Sequence, residues 1–99
     1  MLRISMNDDP TTATLKVEGK VVGPWARELG ETWHGLWDPT SHKRLRLDIC
    51  GVTFADARGT RIFGEIVRQT GAEIIADTPL TRYFATQAVT KMELGEEEN

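Results

Sequence analysis

The chain has 99 residues, 39% hydrophobic and 27% charged, with a formal net charge of -3 and one cysteine. That length supports a single hydrophobic core, burying about 65% of the surface the unfolded chain exposes, with no room for a second. The acidic balance argues against a dedicated nucleic-acid or anionic-membrane binder, and the lone Cys50 allows neither an internal disulfide nor a multi-thiolate metal site. Cysteine usage of this kind suits a reducing compartment. The N-terminal MLRISMNDDP lacks the apolar core of a signal peptide, and no run approaches the roughly 20 apolar residues of a membrane span. The expected location is the cytoplasm.

Leu2, Ile4 and Met6 alternate with Arg3 and Ser5, the period of a half-buried strand. Asn7-Asp8-Asp9-Pro10 supplies turn residues. Ala13, Leu15 and Val17 then alternate with Thr12, Thr14, Lys16 and Glu18 as a second strand, which pairs with the first as a hairpin. The alternation breaks at Gly19–Gly23. Pro24 suits the first position of a helix, where its missing N–H costs nothing. From there Trp25, Leu29, Trp33 and Leu36 fall at spacings of four, four and three, widened by Trp37. This stripe predicts at least two of the three tryptophans in the core. A tryptophan left outside it would be a ready interface anchor. Asp38-Pro39 stops the helix.

After a polar loop to Lys43, Leu45, Leu47 and Ile49 alternate with Arg44, Arg46 and Asp48 as a third strand, which Gly51–Ala55 leaves. Ile62, Phe63, Ile66 and Val67 form the apolar face of a second helix, and Gly71 stands where a C-terminal cap belongs. Ala72–Ala76 reads as a short fourth strand. Asp77 or Thr78 then caps a helix with Pro79 in its first turn, whose inner face carries Leu80, Phe84, Gln87 and Ala88. The order is β-β-α-β-α-β-α. It predicts an α/β fold, a mixed sheet of about four strands with helices packed on one face, spanning residues 1–90. Residues 91–99 read as an acidic, disordered tail.

Between the third strand and the second helix lies Phe54-Ala55-Asp56-Ala57-Arg58-Gly59-Thr60-Arg61. Asp56 can cap the orphan N–H groups of the helix and meet the positive end of its dipole. Gly59 gives a sterically free turn. A well-capped strand-to-helix turn accounts for all of this without any function.

The stretch LRLDICGVTFADARGTRIFGEI, Leu45 to Ile66, resembles the signature of the STAS domain, the fold of bacterial anti-sigma-factor antagonists. In that family a strand ending in aspartate leads through V/L-x-F-x-D-S-S/T-G into a helix. Leu47-Asp48 matches the strand end, and Val52, Phe54, Asp56 and Gly59 match the turn. Leu15 to Gly19 is similar to the family's early strand, and the likeness covers about residues 1–90. The resemblance implies a STAS sandwich and a signalling module in a bacterial cell. It also implies a protein partner, a kinase-type anti-sigma factor or another regulatory complex. The family's phosphoacceptor hydroxyl follows the aspartate. Ala57 stands there in this chain, and Arg58 replaces the second hydroxyl residue. Alanine has no oxygen to phosphorylate, so that switch cannot operate at position 57.

The expected interaction site is therefore Asp56, Ala57, Arg58, Gly59, Thr60 and Arg61, with the exposed face of the following helix. Arg58 adds five donors and a permanent charge to a helix N-terminus, suited to an anionic partner surface or to a local carboxylate such as Asp56. Thr60 is set aside as a displaced phosphoacceptor, because threonine in a first helical turn is common for capping reasons. His34, His42 and Cys50 share no ligand spacing, so no metal and no cofactor is expected. No nucleophile elbow or phosphate loop appears, and no acid, base and nucleophile converge, so no catalytic residue is assigned. The readings, in order, are a non-enzymatic docking module, a small-ligand sensor taking a nucleotide or anion at the same helix start, and last a small enzyme using Asp48, Asp56, His34 or Cys50, which would need His34 within hydrogen-bonding reach of Asp56. A homodimer is compatible with the first two.

Overall fold

The computed structural model describes residues 2–38 and 40–94. Its elements are β1 (Leu2–Asp8), β2 (Thr12–Val21), α1 (Pro24–Leu36), β3 (Arg44–Ala55), α2 (Ala57–Thr70), β4 (Glu73–Ile75) and α3 (Pro79–Leu94), in the expected order. β1 and β2 form the antiparallel hairpin, Leu2 opposite Gly19 and Asp8 opposite Ala13. The β2–β3 and β3–β4 pairs are parallel, and the strands lie side by side in chain order. Parallel neighbours cannot be joined by a tight turn, so α1 and α2 carry the chain back between them.

Ala13, Leu15 and Val17 on β2 and Leu45, Leu47 and Ile49 on β3 are buried, each flanked by more exposed neighbours. Period two places them on one face. There Leu29 and Trp33 of α1, Phe63 and Ile66 of α2, and Phe84 and Ala88 of α3 complete one core. Each fully buried large side chain contributes about 1.5–3 kcal/mol. Arg3, Ser5, Arg44 and Arg46 leave the opposite face to solvent.

Three details of the sequence reading are corrected. First, β2 runs through Gly19 to Val21 and β3 through Gly51 to Ala55, where broken alternation predicts strand ends. The pairing steps from Lys16↔Asp48 to Glu18↔Gly51, and from Gly19↔Val52 to Lys20↔Phe54. Each step puts one extra residue into β3. Such bulges shift the buried side of a strand without ending it, here from Ile49 to Val52 and Ala55.

Second, the inner face of α1 is Ala26, Leu29 and Trp33, while Trp25 and Leu36 are exposed and Trp37 only packs partly on the core. One tryptophan is core, not two. A shift of one residue turns a helix by about 100°, so choosing Ala26 expels Trp25.

Third, α3 buries Thr81 with Phe84 and Ala88, leaving Leu80 exposed and Gln87 half-buried. The Thr81 hydroxyl accepts from the Asp77 and Thr78 N–H groups at 3.1 and 3.0 Å, and Thr78 Oγ1 accepts from the Thr81 N–H at 3.0 Å. A polar residue takes the inward position because it is part of a reciprocal cap. α3 also extends to Leu94, so Lys91–Leu94 of the expected tail are helical. The remainder, 95–99, lies outside the described residues.

Candidate functional site

β2 and β3 end side by side, with Val21 opposite Ala55, and the chain leaves them into α1 and α2. Asp56 ties these two helix starts together. Its Oδ1 accepts from the Gly59 N–H at 2.9 Å, its Oδ2 accepts from the Gly23 N–H at 3.0 Å, and its own N–H donates to the Val21 carbonyl at 3.3 Å. The expected cap is thus present, and it also fastens the turn before α1. Burial works against the charged carboxylate. The N–H groups of Gly59, Gly23 and Arg58, with the Arg58 charge, outweigh that and hold its pKa below the ordinary value.

Gly59 is required by close approach. A Cβ there would overlap the Val21 carbonyl oxygen and crowd Val21 Cγ1 at 3.1 Å and Ala55 Cβ at 3.2 Å. The glycine lets α2 start hard against the end of β2.

The six residues singled out from the sequence divide between framework and surface. Gly59 and Thr60 are buried, Asp56 is half-buried, and Ala57, Arg58 and Arg61 are exposed. Thr60 is 4% exposed, and its hydroxyl accepts from Lys91 Nζ at 2.8 Å while lying 3.2 Å from the Ala57 carbonyl oxygen. Lys91 also donates to that carbonyl at 3.1 Å. The Thr60 hydroxyl is therefore enclosed and engaged. Arg58 pairs with no carboxylate within 4.0 Å among the described residues; the four ion pairs there lie elsewhere, such as Lys43–Asp8 at 3.1 Å. The local pair with Asp56 is not made; the two Asp56 oxygens accept the Gly59 and Gly23 N–H groups instead.

Trp25, 40% exposed, lies at the start of α1, two residues beyond Gly23. Phe54, two residues before Asp56, is 50% exposed, and Tyr83 of α3 is 56% exposed. Sequence reading did not single out Gly23, Lys91 or Tyr83. Phe54 lies inside the matched motif, but Lys91 reaches the turn from 34 residues away, with no local signal.

No group of three or more His, Cys, Asp or Glu residues that could hold a metal occurs among the described residues. His34 Nδ1 lies 3.1 Å from the Gly30 carbonyl oxygen, without a hydrogen bond to Asp56. Burial, with the nearby Asp48 and Asp77 carboxylates, pushes the Cys50 thiol up to about 11. No helix among the described residues is long and apolar enough to cross a membrane.

The four-stranded mixed sheet and its β-β-α-β-α-β-α order define a STAS-like α/β fold, that of the anti-sigma-factor antagonists. A solved anti-sigma factor antagonist from Mycobacterium paratuberculosis superposes with a TM-score of 0.75, covering 94% of this chain and 82% of that one at 18% identity. A second solved structure, Mglu, gives a TM-score of 0.59 over 76% of this chain and 19% of its own length, at 19% identity. At such identities the likeness is one of fold. No family model and no curated protein matches the sequence.

Proposed function

We propose that this protein is a non-enzymatic, STAS-like regulatory module that docks on a protein partner. Its contact surface is the Asp56–Gly59 turn with Thr60, Arg61 and the exposed face of α2. The observation that carries the reading is the pair of exposed guanidinium groups, Arg58 and Arg61, on a turn held by Asp56 at two helix starts. Rigid presentation of exposed charge lowers the ordering cost of association, and Trp25, exposed at the start of α1, is a suitable anchor. The partner class is a kinase-type anti-sigma factor or another regulatory complex, because the fold is shared with an anti-sigma factor antagonist. Position 57 lacks a hydroxyl and the one at Thr60 is enclosed, so the module is competent without phosphorylation at this turn.

The ligand-sensing alternative draws on the same helix start, whose Gly59 and Arg58 N–H groups already serve Asp56. Docking therefore ranks first. The test is an affinity capture from source cells with wild-type and Arg58→Glu baits, followed by titration of the protein whose recovery differs. The expected result is at least tenfold weaker binding by Arg58→Glu with an unchanged unfolding midpoint. Equal binding by both baits would sink the site assignment. A concentration-dependent thermal shift with nucleotides or inorganic phosphate would favour the sensor.

A further inference from the structure

An apolar surface adjoins the proposed docking turn. Phe54, at the end of β3, packs edge-on against Phe84 with ring centroids 5.9 Å apart, and Tyr83 lies against Phe84 at 5.8 Å. Phe84 is buried beneath them, while Phe54, Tyr83 and Leu80 are all exposed. Leu80, Tyr83, Gln87 and Lys91 follow one another at spacings of three and four on α3, which places them along one side of the helix. That side leads from the aromatic rings to Lys91, whose ammonium bonds the Ala57 carbonyl in the docking turn. Lys91 thus links this side of α3 to the turn, and Phe54 lies two residues before Asp56.

Its rim is basic. Lys20 is the cross-strand partner of Phe54, Arg82 precedes Tyr83, and Arg58 and Lys91 stand at the turn. None of these four makes an ion pair within 4.0 Å among the described residues, on a chain whose net charge is -3. Exposed aromatic anchors beside unpaired cations complement apolar side chains flanked by carboxylates. From Leu80 to Lys91 the strip runs on the order of 16 Å, at about 1.5 Å per helical residue, the length of about three turns of a partner helix.

We propose that Phe54, Leu80 and Tyr83 are an anchor site for an acidic amphipathic helix of a protein partner, laid along α3 toward the Asp56–Gly59 turn. This rests on the docking reading and states the chemistry of the partner.

The test uses the full chain and three synthetic 15-residue helical peptides, with binding followed by backbone NMR shifts and calorimetry. The first peptide carries Leu and Phe on one face and Glu on the other. The second has Lys for Glu, and the third has Ser for Leu and Phe. The first is expected to bind at least tenfold more tightly than either control, with shifts at Phe54, Tyr83 and Arg58. Tyr83→Ala and Phe54→Ser are each expected to weaken it at least fivefold with unfolding midpoints retained, and Arg44→Ser to leave it unchanged. Equal affinity for all three peptides, binding of none, or indifference to both aromatic changes overturns the proposal. Self-association that Tyr83→Ala abolishes also overturns it, in favour of a second copy as occupant. If Arg58→Glu weakens the captured partner but the aromatic changes do not, the anchor site fails and the docking turn stands. The converse result retains the anchor site and removes the turn.

Discussion

Asp56 and Gly23, 33 residues apart, are joined by a hydrogen bond of 3.0 Å from the Gly23 N–H to the Asp56 carboxylate, which caps α2 with its other oxygen. Removing the carboxylate therefore leaves two backbone donors without their partner. A lost cap costs about 0.5–2 kcal/mol, and an orphaned, partly buried N–H adds about 1–3 kcal/mol. Asp56→Ala is expected to lose about 2–4 kcal/mol in urea unfolding, and Asp56→Asn about half of that. A loss under 0.5 kcal/mol for Asp56→Ala would contradict the dual role.

The same carboxylate sets a pH dependence. Its folded pKa lies below the unfolded value of about 3.9, so its contribution is complete above that value and is lost as pH falls through the folded one. Asp9 and Asp38 are held low by their own turns, through N–H groups of Thr12 and Thr11 and through the hydroxyl and N–H of Thr40, and they keep those partners when Asp56 is changed. Between pH 5 and pH 2, wild-type stability is expected to fall more steeply than that of Asp56→Asn. Urea midpoints at three pH values check this; parallel curves would contradict it.

Two glycines in α2 are expected to resist substitution for different reasons. At Gly59 an added methyl meets the carbonyl of Val21, a backbone atom that cannot rotate away. At Gly64 it comes within 2.7 Å of the Ala88 carbonyl oxygen, where α2 crosses α3. Gly59→Ala is expected to cost about 3 kcal/mol or more and Gly64→Ala about 1–3 kcal/mol, in the range of overpacked cores. The second is the milder because α3 can move outward. Thermal unfolding of both variants gives the comparison, and a neutral Gly59→Ala would refute the close approach.

Cys50 is expected to be a slow thiol. With its pKa at about 11, the thiolate at pH 8 is depleted on the order of a hundredfold relative to an ordinary cysteine. Iodoacetamide should react correspondingly slowly with the folded chain and at the normal rate in 8 M urea. Fast labelling of the folded protein would contradict the assignment.

Ala57 offers a test of the turn's charge without a phosphate. An acid at the first position of α2 meets the positive end of the helix, worth about 0.3–1 kcal/mol. Ala57→Glu is expected to raise the unfolding midpoint slightly while weakening the binding that Arg58 supports. Unchanged binding would place the contact elsewhere.

Much of this was readable in one dimension because its causes are local. Period-two and helical spacings mark the first three strands and the first two helices, a short apolar run marks β4, and a cap with Pro79 marks the start of α3. Asp56 caps a helix whose first N–H groups lie within three residues of it. Gly71 ends α2 in the left-handed conformation at φ 73°. The motif from Val52 to Gly59 pointed to the fold that the sheet order then showed. Strand ends were misread where bulges let β3 change its buried side beside β2, since a register belongs to two strands and not to one.

From sequence alone came the element order, the acid cap at Asp56 and the missing hydroxyl at Ala57. Each depends on residues within a few positions of one another. The tertiary structure decided which side of each helix is covered, and so that Trp25 faces solvent while Trp33 does not. It also brought Gly23 to Asp56, Lys91 to Thr60 and Phe84 against Phe54. Those contacts arise from pairing β2 with β3 and from packing α3 against α2 and the end of β3, and a linear pattern of residues carries no record of which distant segments such packing makes neighbours.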